Sequence, residues 1–78
     1  MNPITQAIEI VGLRPLASAC GVTYQAVKKW ENAERLPQSD HLGVTNHAAN
    51  IARATNGEIE ATALLDWSMT NWRKDRAA

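Results

Sequence analysis

The sequence predicts an all-helical domain of five short helices, on three observations. Apolar residues recur three or four positions apart in several stretches. The stretches open on residues that start helices, Asn2-Pro3, Pro15, Thr23 and Thr45. They close on Gly12, Gly21 and the pair Asn56-Gly57.

Asn2 can cap a first helix with Pro3 in its opening turn, and Ile4, Ile8 and Val11 follow at helical spacing, which gives a helix over 3–11. Pro15 starts a second, short helix with Leu16, Ala17 and Cys20 on one face, ended by Gly21. Thr23 caps a third over 24–32, with Val27 and Trp30 facing inward and Tyr24, Gln25, Lys28 and Lys29 left outside. The stretch 33–44 carries Pro37, Ser39, Asp40 and Gly43 and reads as a connection long enough to hide a turn of helix. Thr45 is the expected cap of a fourth helix through Ala48, Ile51, Ala52 and Thr55. A short fifth helix is expected over 59–67, with Leu64 and Leu65. Residues 68–78 have mixed propensity and end in Arg73, Lys74 and Arg76, so they are expected to form a frayed tail or an arm ordered by a partner. The domain is therefore expected over 1–67, with a C-terminal tail at 68–78.

With 78 residues, 45% of them apolar and 21% charged, the composition is that of one ordinary globular domain. The single cysteine, Cys20, excludes an internal disulfide, and the expected compartment is the cytoplasm. No apolar run approaches the roughly 18 residues that cross a bilayer, and the N-terminus lacks the basic-then-apolar order of a signal peptide. There is no phosphate-cradling glycine loop and no nucleophile motif, and His41, His47 and Cys20 lack metal-ligand spacing. The expectation is a binding module without enzymatic activity, cofactor or metal. Eight basic and eight acidic residues cancel, so a nucleic-acid reading must rest on where the charges stand.

One motif, over 13–32, supplies that placement. Ala17 is small where a following helix crosses it, and Gly21 permits the steep turn between two short helices. Leu16, Cys20, Val22, Val27 and Trp30 make the apolar contact that sets the interhelical angle. Trp30 is read as a core anchor and Cys20 as a small core residue. The third helix then projects, and a helix about 10–12 Å across fits the major groove of B-DNA. Such a position sets Thr23, Tyr24, Gln25, Lys28 and Lys29 against DNA.

At these residues the chain resembles the helix-turn-helix of phage Cro and cI-type repressors, the lambda-repressor-like fold. The stretch Cys20-Gly-Val-Thr-Tyr-Gln-Ala-Val-Lys-Lys-Trp-Glu is similar to the YdaS family of Cro-like prophage antitoxins. The resemblance covers 13–37 strictly and 48–65 loosely. Leu13 stands where many such repressors carry Gln, so the amide that would meet a phosphate there is missing. The resemblance implies base reading by Tyr24, Gln25 and Lys29, with Lys28 beside them. Gln pairs with adenine, Lys donates to guanine, and the Tyr ring packs on a thymine methyl or reaches a phosphate. Thr23, Arg14 and Arg35 suit backbone phosphates.

The implied function is a Cro-type repressor that binds double-stranded operator DNA as a homodimer, formed in solution or only on DNA. The alternative is an antitoxin or adaptor that meets a protein partner through the 64–72 surface, with autoregulatory DNA binding. Trp67 is expected in the core, whereas Trp72 fits either a core cap or an exposed dimerisation patch.

Overall fold

Asn2 caps the first helix as its side chain predicts, with Oδ1 accepting the N–H groups of Ile4 and Thr5 at 2.9 and 3.3 Å. The computed structural model describes residues 2–77, with side chains through Lys74. Among the described residues there are six helices and no strand: α1 (Pro3–Val11), α2 (Leu13–Cys20), α3 (Tyr24–Ala33), α4 (Gln38–His41), α5 (His47–Ala54) and α6 (Ala61–Ala77). The sixth element is α4, the single turn that the 33–44 connection was long enough to hide.

Gly12 alone links α1 to α2, at φ +100°, and its N–H closes α1 on the carbonyl of Ile8 at 2.8 Å. α2 begins at Leu13, two residues before the expected start. Pro15 fits inside its first turn because no helical hydrogen bond is asked of an N–H there. Gly21 ends α2 in the left-handed conformation (φ 68°, ψ 30°), while the N–H groups of Gly21 and Val22 return to Ser18 and Ala17 at 3.1 and 3.0 Å. A Cβ at Gly21 would meet nothing within 4 Å, so glycine is favoured there by the left-handed backbone and not by crowding.

The start of α5 departs from expectation. Asn46 precedes the helix without a side-chain cap, and Thr45 does not cap it either. The carboxylate of Asp40, buried at the end of α4, accepts the N–H groups of His47 and Ala48 at 2.7 and 3.0 Å and the Thr45 hydroxyl at 2.8 Å. The cap therefore comes from the preceding helix, because its carboxylate adds charge to hydrogen bonding at the positive end of α5.

The C-terminal third departs further. Ile59 is buried but lies before α6, its N–H bonded to the Thr55 hydroxyl at 3.3 Å. The helix expected to stop at Trp67 continues to Ala77, so the described part of the supposed frayed tail is helical. Its inner stripe, Leu64, Ser68 and Trp72, is partly polar, and those polar groups reach the loop after α3. Ser68 is fully buried and accepts the Leu36 N–H at 2.8 Å, and the Trp72 indole donates to the Leu36 carbonyl at 2.8 Å. Trp67 packs partly buried against the core as expected, and Trp72 is half-buried. Within the 64–72 segment Leu64 and Ser68 face the core, and Asp66 and Thr70 are exposed.

Six aliphatic or loop-borne apolar side chains meet at the centre: Ile4, Leu16, Val27, Leu36, Ile51 and Leu64, all fully buried. Each long helix supplies one, so no helix can leave without opening the same core. Cys20 joins them, with its thiol 3.9 Å from the His47 carbonyl. Burial, with the Asp40 carboxylate adding to it, pushes the thiol up to about 11. At pH 8 only about one thiol in a thousand is then ionised. We expect Cys20 to resist a thiol-reactive disulfide reagent in the native protein and to react at once in denaturant. Rapid native labelling would show that this part of the core opens.

Candidate nucleic-acid interface

Thr23 begins α3 by accepting the Ala26 N–H on its hydroxyl oxygen at 3.3 Å. Val27 and Trp30 anchor the helix on the inside, and Trp30 also lies with its ring centroid 4.7 Å from that of His47. Because 3.6 residues make a turn, burial of those two leaves Tyr24, Gln25, Lys28 and Lys29 together on the outer face, and all four are exposed. They rim an open, shallow depression completed by Asn32 and Ala33. Asn32 was not singled out from the sequence. It stands one turn beyond Lys28, and extending the outward spacing by four residues finds it.

The motif core lies where the spacing puts it. Leu16, Ala17, Cys20, Val27 and Trp30 are buried, Val22 packs partly buried against them, and Gly21 forms the exposed turn between α2 and α3.

The residues assigned to phosphates divide into two groups. Arg14 and Thr23 stand at the N-terminal end of α3, with the Arg14 guanidinium 5.1 Å from the centre of the Tyr24 ring. Arg35 lies past the other end of the helix, stacked on Trp72 with its guanidinium carbon 3.9 Å from the ring centre. Both placements hold a planar cation at a flank of α3, and they hold it at opposite ends.

The two lysines also differ. Lys28 donates to Glu31 Oε1 at 2.7 Å. Thr5 donates to the other oxygen of Glu31 at 2.7 Å, and the Asn2 amide donates to the Glu31 carbonyl at 2.9 Å, which ties α1 to α3. The hydrogen bonds from Lys28 and Thr5 hold the Glu31 carboxyl below its ordinary value. Part of the Lys28 charge is thus answered within the protein, whereas Lys29, on the same exposed face, has no carboxylate partner among the described residues. The face as a whole offers an amide pair, two ammonium groups and a phenol, the groups that match base edges and phosphate oxygens.

No protein-family model matches the chain, and no solved structure matches it. A curated relative does: the 8.4 kDa Cro protein of Escherichia phage HK022 is 33% identical over 66 residues, covering 82% of this chain and 87% of that protein. No helix among the described residues is long and apolar enough to cross a membrane.

Proposed function

The chain belongs to the Cro family of phage proteins, and from that premise we propose that it is a transcriptional repressor that reads operator DNA with α3 in the major groove. The observation that carries this reading is the single exposed face of Tyr24, Gln25, Lys28, Lys29 and Asn32, backed by a turn and a core that hold α3 at a fixed angle. In this reading Gln25 pairs with an adenine, Lys29 donates to a guanine and Tyr24 packs on a thymine methyl. Arg14, Thr23 and Arg35 meet phosphates on either side.

Ten residues of helix span about 15 Å, enough for only a few base pairs. Useful selectivity therefore calls for two copies on half-sites about one helical turn apart, and the operator is expected to be palindromic. The likeness of 20–31 to the YdaS group supports a prophage setting. The reading as an antitoxin with a partner on 64–72 has less support, because the curated relative is a Cro protein.

Selection of bound sites from a random duplex pool tests the proposal. A two-fold symmetric consensus is the expected result, and absence of binding at 50 mM salt, where counterion release favours DNA association, would overturn it. The pairing of Lys28 with Glu31 adds a ranking. Lys28→Ala should weaken binding to the selected duplex less than tenfold, and Lys29→Ala more than tenfold, by titration at one salt concentration. The reverse order would mean that Lys28 leaves Glu31 to reach a base.

A further inference from the structure

The depression on α3 does not end at the helix. It adjoins a second one that shares Lys29 and Ala33 and crosses Arg35, Gln38 and Trp72, and this adjoins a third that shares Gln38 and Trp72 and ends at Arg73. The three depressions thus neighbour one another in sequence from the outer face of α3 to Arg73 on α6. The chain carries as many acidic as basic residues, eight of each, yet among the described residues no carboxylate lines any of the three depressions. Lys28, Lys29, Arg35 and Arg73 stand along these depressions between apolar side chains, and basic residues spaced along one surface match the electrostatic footprint of a phosphate backbone.

The far end of this row is held against the loop after α3. Trp72 donates to the Leu36 carbonyl at 2.8 Å, Leu36 donates to Ser68 at 2.8 Å, the Asn71 amide donates to the Glu34 carbonyl, and Arg35 stacks on Trp72. These contacts fasten α6 to the loop that directly follows α3, so the stretch of α6 that carries Arg73 is held beside the C-terminal end of α3. A helix in a groove about 12 Å wide has a phosphate ridge on each side. With the outer face of α3 in the groove, the surface beside its C-terminal end would lie toward one of those ridges.

We infer that Arg73, with the Gln38 amide beside it, forms a second seat for the DNA backbone on α6, separate from the contacts at the N-terminal end of α3. The inference rests on the proposed placement of α3 in the groove. Arg73 supplies a charge-assisted hydrogen bond to a phosphate oxygen, and the Arg35–Trp72 stack bridges the seat to α3. A backbone contact carries no sequence preference of its own, so its signature is electrostatic.

The test is titration of the full chain, wild type and Arg73→Ala, against the selected duplex and a random duplex between 50 and 200 mM salt. Arg73→Ala should bind both duplexes about eightfold more weakly at 0.1 M salt, and its plot of log affinity against log salt should be shallower by about 0.9, the increment for one neutralised phosphate. Arg73→Lys should recover the slope. Arg53→Ala, on the exposed face of α5, should change neither quantity. Wild-type binding with an unchanged slope in Arg73→Ala overturns the seat and leaves the repressor reading standing. Loss confined to the selected duplex also overturns the seat, because it would make Arg73 a base reader. Absence of wild-type binding at 50 mM salt overturns both readings.

Discussion

Asp40→Ala is expected to lower folding stability by about 2–4 kcal/mol, a fall in melting temperature of roughly 10–25 °C for a domain of this size. Three donors converge on that carboxylate: the N–H groups of His47 and Ala48 and the hydroxyl of Thr45. Removing it leaves two orphan N–H groups at the start of α5, one of them on the buried Ala48, at a cost of about 1–3 kcal/mol for a buried donor without a partner. It also removes a negative charge from the positive end of the helix, adding about 0.3–1 kcal/mol. Asp40→Asn keeps one acceptor oxygen and turns an NH2 group toward a donor, so it should fall between the two. Chemical denaturation with the slope held constant is the appropriate measurement. A loss under 1 kcal/mol for the alanine variant would mean that Thr45 takes over the cap, as the sequence alone suggests.

The contrast between Asp40 and Asn2 explains much of what was legible in the sequence. The caps made by Asn2 Oδ1 and Thr23 and the turn at Gly21 act on groups two to five residues away, so α1, the turn and α3 can be read from local chemistry. Asp40 acts seven and eight residues away, across a loop whose path no local rule specifies. The misreading of α6 has the same origin on a larger scale. Ser68, Asn71 and Trp72 bond to Leu36 and Glu34 from 32 to 37 positions away, and their polarity looks like solvent exposure until those partners are known. Apolar spacing finds helices whose inner face is apolar throughout, and it passes over one whose inner face is satisfied by another segment's backbone.

The exposed face of α3 was legible for the opposite reason. It is the complement of Val27 and Trp30, and a ten-residue helix with two firm anchors leaves little freedom in what points outward. What spacing does not supply is the state of each outward group. The engagement of Lys28 by Glu31 and the stacking of Arg35 on Trp72 depend on rotamers and on a distant helix.

That distinction shapes the largest expected effect on binding. Gln25→Ala combined with Lys29→Ala should weaken the complex with the selected duplex by roughly 30-fold to 10⁴-fold, the sum of two base contacts at about 1–3 kcal/mol each. Random duplex should respond only to the lost Lys29 charge, with a salt slope shallower by about one. The ratio of the two affinities therefore collapses, while the fold is untouched, because both side chains are exposed and neither belongs to the core. The single variants locate the contacts. Gln25 and Lys29 stand one turn apart, so if each reads its own base pair their effects add, and if they share one the double variant costs less than the sum. An unchanged ratio in the double variant would remove α3 from the groove, however well the helix-turn-helix is built.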